Sequence, residues 1–140
     1  MTAALIDALA SLAQIVDEEN DRLTRPIHHP ELPALVEAKT RLAATVEVEI
    51  ARLARERPDW INSVEGEGRA ALTQAVEVLT RRLAVNSKLI ERRIELCDEI
   101  MEAVADEARR LSGARSAVYG VHGTLSRSDQ AAPIAVNSRI

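Results

Sequence analysis

The feature that most constrains the fold is a long stretch from Gly68 to Ser112 that contains no internal proline or glycine. Its apolar residues recur at steps of three and four, the heptad spacing of a helix that packs along one seam. At about 1.5 Å per residue, an uninterrupted helix of this length would span roughly 65 Å. The seam comprises Leu72, Val76, Leu79, Leu83, Asn86, Ile90, Ile94, Cys97, Met101, Val104, Ala108 and Leu111. The spacing therefore predicts a helix over 68–112, with Gly113 as its C-terminal cap.

Two shorter segments with the same spacing precede the long one, at about residues 3–25 and 32–57. The prolines of RPIHHPELP separate them, and Pro58 ends the second. The connection PDWINSVEGEG then leads into the long segment, with turn-forming Asp, Asn and Ser residues. We therefore expect an all-α fold: an antiparallel, coiled-coil-like bundle of three helices over residues 1–112, with one long C-terminal helix and a flexible tail.

Composition favours helices over a β-sandwich, since the chain has one Trp, one Tyr and no Phe, and strands are enriched in aromatic residues. Cys97 is the only cysteine, so no internal disulfide can form, and its seam position predicts a small buried apolar side chain. The N-terminal segment is a poor signal peptide, and no apolar run approaches the roughly 20 residues of a membrane span. We expect a cytoplasmic protein without membrane insertion.

Charge is distributed unevenly along the chain. Residues 113–140 carry three arginines and one aspartate, a net of +2, so the total of −4 leaves −6 for residues 1–112. Nucleic-acid binding requires a basic face, so an acidic body argues against it.

Three polar residues occupy seam positions of the three predicted helices. Glu19 and Lys39 are equidistant from a turn near residue 29, and Lys39 and Asn86 from a turn near residues 62–63. If both connections are hairpins, Glu19, Lys39 and Asn86 meet in one polar layer that fixes the alignment of the helices. If the seams are rotated, these side chains reach solvent instead. The pattern leaves both arrangements open, as it does a kinked rod in place of the first hairpin.

The segment 113–140 lacks a sustained period and is expected to be a flexible tail. It contains two short apolar islands, around Val118 and Tyr119 and over 133–136, which are candidate partner-binding segments. The candidate binding residues are Val118, Tyr119, Gly120, Gly123, Pro133, Ile134, Val136 and Asn137.

The residue patterns of catalytic and metal sites are missing from the sequence. His28 and His29 are adjacent in a turn and have no Cys- or His-rich partner set. Glu95, Glu99 and Glu102 share a helix face, which is more typical of a solvated stripe than of an acid–base site. We expect a protein that is not an enzyme, with no catalytic residues, metal or cofactor.

Five short motifs, in this order, resemble the FlgN-type flagellar export chaperones. They are EENDRL (18–23), LVEAKTRL (35–42), VNSKLIERRIEL (85–96), YGVHG (119–123) and PIAVNSRI (133–140). The chain departs from the family pattern at His122 and in the RPIHHPELP turn.

The resemblance implies a non-enzymatic cytoplasmic chaperone of type III flagellar export. Such proteins bind the C-terminal helical segments of hook-associated proteins, which form the hook–filament junction, and deliver them to the export gate. The family's gate-contacting tyrosine lies near the start of the tail, where Tyr119 is the candidate. The competing interpretation is a structural or regulatory helical adaptor with no export role. Whether the free chain is a monomer or a homodimer stays open.

Overall fold

A computed structural model describes the backbone of residues 1–120 and the side chains of residues 1–114. Four helices account for the secondary structure of this part: α1 Ala3–Thr24, α2 Leu32–Glu56, α3 Trp60–Ser63 and α4 Gly66–Gly120. The all-α prediction, with one long C-terminal helix, is confirmed for the described residues. The predicted count of three helices is too low, because the one-turn α3 forms within the connection PDWINSVEGEG.

Helices α1 and α2 form an antiparallel hairpin. Near the turn, Lys39 Nζ donates to Glu19 Oε1, and at the other end Arg52 Nη2 donates to the Met1 carbonyl at 3.4 Å. Pro33 lies in the first turn of α2, where its missing N–H costs no helical hydrogen bond. These contacts exclude a continuous kinked rod.

The backbone departs from the helical conformation at both ends of the connection between α2 and α4. Arg57 has an extended backbone (φ −152°, ψ 107°) because the ring of the following Pro58 disfavours the helical conformation. Gly66, at the start of α4, has φ +61°, a left-handed conformation that glycine adopts at little cost. Between these two points, Trp60 of α3 and Val64 are buried.

The chain divides into two compact units, Met1–Arg93 and a second unit that begins at Ile94 within α4. The core of the first unit draws on all four helices and on the link between α3 and α4. It comprises Leu5, Leu9, Leu12, Ala13, Val16, Leu53, Trp60, Val64 and Leu79. Helix α1 supplies the first five of these nine residues.

The position of the seam on α4 differs in part from the prediction. Leu79 and Asn86 are buried as expected, whereas Val76 and Leu83 remain 47% and 38% exposed. Ala75 and Val78 pack against the core instead. The packed face is therefore rotated toward Ala75.

The predicted end of α4 at Gly113 is wrong, because the helix continues to Gly120. Within the described residues only Gly66 has a positive φ, so Gly113 does not adopt a left-handed capping conformation. A glycine inside a helix costs only about 1 kcal/mol, which its neighbours can offset. The backbone of 113–120, assigned to the tail from the sequence, is thus helical, including positions 118–120. The other candidate binding residues, from Gly123 onward, lie outside the described part of the chain.

Candidate functional site: a buried polar layer and an exposed apolar stripe

The predicted polar layer is present in the first unit. Lys39 Nζ donates to Glu19 Oε1 at 3.0 Å and to Asn86 Oδ1 at 3.3 Å, so the three seam residues meet as the spacing predicted. The Glu19 side chain is 2% exposed, whereas that of Lys39 is 22% exposed. Nζ also lies 2.9 Å from Glu19 Oε2, but this atom accepts no well-directed hydrogen bond, so the contact is purely ionic.

Asn20 extends the layer and was not predicted from the sequence. Asn86 Nδ2 donates to Asn20 Oδ1 at 2.9 Å, and Asn20 Nδ2 donates to the Arg82 carbonyl at 3.1 Å. The hydrogen bonds therefore link every pair among α1, α2 and α4 and hold these three helices of the first unit at one level. The polar layer, defined as Glu19, Asn20, Lys39 and Asn86, fixes helix register. Its groups bond to one another, as in a structural network.

In the second unit, by contrast, the described residues include an apolar surface that is exposed. Seven apolar side chains between residues 94 and 111 are exposed, and we call them the apolar stripe. They are Ile94, Leu96, Cys97, Ile100, Met101, Val104 and Leu111. At about 100° per residue they occupy less than half of the helix circumference. Ile100 and Val104 are each 61% exposed. An exposed apolar surface of this kind typically marks an interaction surface.

The exposure of Cys97 corrects the prediction that it is buried. Its seam position was identified from the heptad spacing, and that spacing shows which residues share a face. Burial also requires a helix packed on that face, which the described residues do not supply here. The same correction applies to Ile94, Met101, Val104 and Leu111, which are the other large seam residues beyond Arg93.

Charged residues accompany the stripe. Glu107 interrupts it and is bound by Arg110, whose Nη2 lies 2.6 Å from Glu107 Oε1. This hydrogen bond lowers the pKa of Glu107 below its ordinary value, so the carboxylate stays ionised. Arg109 pairs in the same way with Asp106.

The histidine turn offers no converging ligand set. His28 is exposed, whereas the His29 side chain is largely buried, with Nδ1 3.6 Å from Glu31 Oε1. Within the described residues, no group of three His, Cys, Asp or Glu side chains is arranged to hold a metal ion. In the same part of the chain, no helix combines the length and apolarity that crossing a bilayer requires.

Comparison with known proteins gives no match among family models, curated proteins or solved structures. The exposed stripe and the sequence motifs are therefore the features of the chain that bear on its function.

Proposed function

We propose that this chain is a cytoplasmic, non-enzymatic chaperone of type III flagellar export. In this role it binds the C-terminal helical segments of hook-associated proteins and delivers them to the export gate. The observation that carries the proposal is the exposed apolar stripe of α4, combined with the order of motifs that resemble this family. Helical segments of an unassembled junction protein expose amphipathic faces that would otherwise aggregate, and an apolar stripe can cover such a face.

The dimensions of the stripe fit a helical client. From Ile94 to Leu111 it covers about 26 Å of helix, or nearly five turns. Apolar anchors at three- and four-residue spacing accept an amphipathic helix through interdigitated side chains. Because the stripe lies on a helix that is already formed, its backbone need not be ordered on binding, which lowers the entropic cost of association.

Delivery to the export gate is assigned to the segment around Tyr119. Tyrosine combines an apolar ring with a hydroxyl, which suits a small docking contact. The backbone at this position belongs to the last turns of α4. The apolar residues Pro133, Ile134 and Val136, with Asn137, are proposed as additional client contacts.

The client-binding step can be tested with two matched double variants. Ile100→Ser with Val104→Ser removes two stripe residues that are each 61% exposed. Ile61→Ser with Val48→Ser removes one isoleucine and one valine of the first unit that are each 60% exposed. Isothermal titration calorimetry with purified C-terminal segments of junction proteins should show that the stripe variant binds at least tenfold more weakly than wild type. The control variant should bind within about twofold of wild type, because isolated surface residues contribute little.

The gate-docking step calls for a separate variant. Tyr119→Ala should leave the affinity for junction proteins unchanged and weaken binding to the purified cytoplasmic domain of the export gate. If the wild-type chain binds no junction protein, the export role is wrong and the structural or regulatory adaptor takes its place.

A further inference from the structure

The apolar stripe occupies a sector of α4 that is almost free of charge. Counted from Ile94 at about 100° per residue, the stripe residues lie between about 200° and 360° around the helix. Among residues 94–114, Glu107 at about 220° is the only charged residue in this sector, and it is paired with Arg110. The other charged residues of this segment lie between about 40° and 160°. An occupant of the stripe therefore meets apolar side chains and needs no charge of its own.

The chain itself carries an uncharged apolar segment beyond α4. Residues 130–138, QAAPIAVNS, contain no charged side chain, and residues 133–136 within them are all apolar. We call residues 133–136 the C-terminal island; they lie outside the described part of the structure. Because burying a charge away from water costs free energy, an uncharged segment suits an uncharged sector of the helix.

The C-terminal island is close enough in sequence to reach the whole stripe. Pro133 lies 13 residues beyond Gly120, the last residue of α4, and an extended chain of that length spans about 43 Å. Along the helix axis, Leu111 lies about 14 Å and Ile94 about 39 Å before Gly120. Thirteen residues of random coil have a root-mean-square span of roughly 20 Å, close to the roughly 24 Å between Gly120 and Val104. The middle of the stripe is therefore the most accessible level.

The side-chain spacing of the island also matches that of the stripe. Pro133 disfavours a helix here, and in an extended backbone Ile134 and Val136 point to the same side, about 6.6 Å apart. On α4, Ile100 and Val104 are about 6 Å apart along the axis, and each is 61% exposed. Because the chain returns from the end of α4, Ile134 would face Val104 and Val136 would face Ile100.

We propose that the C-terminal island of this chain binds along the stripe as an extended segment and shields it until a client helix displaces it. The covalent connection keeps the island at a local concentration in about the millimolar range, so that even a weak contact is populated. A second copy of the chain would have to bind from dilute solution instead. The contact itself goes beyond the proposed function, and only its displacement by a client rests on that function.

Disulfide exchange in the full chain tests the contact. In the proposed register Ser138 lies near Cys97, which is exposed and is the only cysteine of the chain. Ser138→Cys should therefore form an intramolecular disulfide with Cys97 in a glutathione buffer, because a disulfide requires Cα atoms within about 7 Å of each other. The matched control combines Ser138→Cys with Cys97→Ser and Glu99→Cys, which moves the helix thiol about 160° around α4 at nearly the same level.

The first pair should close at least about fivefold faster than the control pair, because a tail that does not bind the stripe would reach both faces equally. Each closure rate is divided by the rate at which the same helix thiol reacts with a small disulfide, which corrects for differences in thiol reactivity.

Two further double variants, made in the Ser138→Cys background, locate the contact within the tail. Ile134→Ser with Val136→Ser should slow closure with Cys97 to within about twofold of the opposite-face control, because it removes the apolar side chains of the island. Val121→Ser with Leu125→Ser removes two apolar side chains outside the island. This variant should close within about twofold of the parent rate.

Equal closure rates for the two helix faces would overturn the proposal, as would an island variant that closes as fast as its parent. Disulfide-linked dimers as the main product in dilute protein would also overturn it, by identifying a second copy as the occupant. Face-specific closure that saturating C-terminal segments of junction proteins fail to slow would leave the island contact standing and refute only the export role.

Discussion

Replacing Lys39 with methionine tests whether the polar layer determines the stability of the first unit. The variant keeps most of the aliphatic length and removes the charge that faces the buried Glu19 carboxylate. Removing one partner of a fully buried ion pair costs about 3–5 kcal/mol. Because the Lys39 side chain keeps 22% exposure, water can partly replace the ammonium, and we expect about 2–3 kcal/mol. For a domain of this size, that loss lowers Tm by about 8–12 °C.

The chain provides both a probe and a control for this measurement. Trp60 is the only tryptophan and lies in the core of the first unit, so its fluorescence reports the unfolding of that unit during urea titration. Arg41→Met removes a cation two residues away on the same helix, where the ion pair with Glu37 is long (3.9 Å) and exposed. This control should cost less than about 0.5 kcal/mol.

A second variant separates the charge from the packing. Glu19→Leu with Lys39→Met removes both charges and leaves only Asn86 Oδ1 without its donor, at a cost of about 1 kcal/mol. It should therefore be more stable than Lys39→Met alone. If Lys39→Met costs no more than Arg41→Met, the buried carboxylate is not held by this lysine and the reasoning fails.

Three further predictions follow from other parts of the structure. Trp60→Ala should lower the free energy of unfolding, measured by calorimetry, by about 3–5 kcal/mol, because it leaves a large cavity in the core. A decrease below about 1 kcal/mol would contradict the packing described. Gly66→Ala should lower the free energy of unfolding by about 1–2 kcal/mol, because Gly66 has a positive φ. Gly113 lies within a helix and has open space around its Cβ, so Gly113→Ala should raise helix stability by about 0.5–1 kcal/mol. Unfolding followed by circular dichroism measures both effects. Hydrogen bonds from the backbone at Glu31 and from Arg22 lower the pKa of Glu31, so its NMR titration midpoint should lie below the ordinary value. The associated stability is present above the unfolded-state pKa and is lost as pH decreases through the folded-state pKa, and Arg22→Gln should raise the midpoint.

The polar layer shows how far heptad spacing can predict a tertiary contact. Distances counted from two turns placed Glu19, Lys39 and Asn86 at one level, and their hydrogen bonds confirm it. Asn20 was missed because the prediction assigned one seam residue to each turn of α1. The structure instead buries adjacent pairs along α1, namely Ala8 with Leu9 and Leu12 with Ala13, before Glu19 with Asn20. Adjacent buried residues of this kind indicate a helix that packs against neighbouring helices on two sides.

The errors at Cys97 and Gly113 have different physical origins. Cys97 was expected to be buried because periodicity defines a face, yet the presence of a partner on that face depends on other elements. Gly113 was expected to end α4 because glycine often occupies the residue after a helix. The glycine signal is a preference of about 1 kcal/mol, which the residues on either side can outweigh. The short α3 escaped prediction because four residues are too few to show a helical period.

The backbone continuity of α4 has a consequence for how its C-terminal half becomes helical. An isolated helix must first form a costly nucleus, because its first turn fixes several backbone dihedral angles for a single hydrogen bond. Here residues 94–120 extend a helix that is already formed in the first unit, so each added residue requires propagation alone. Amide hydrogen exchange should therefore become progressively faster from Ile94 toward Gly120, with increasing distance from the first unit. The first unit thus supplies the nucleus for the part of α4 that carries the apolar stripe.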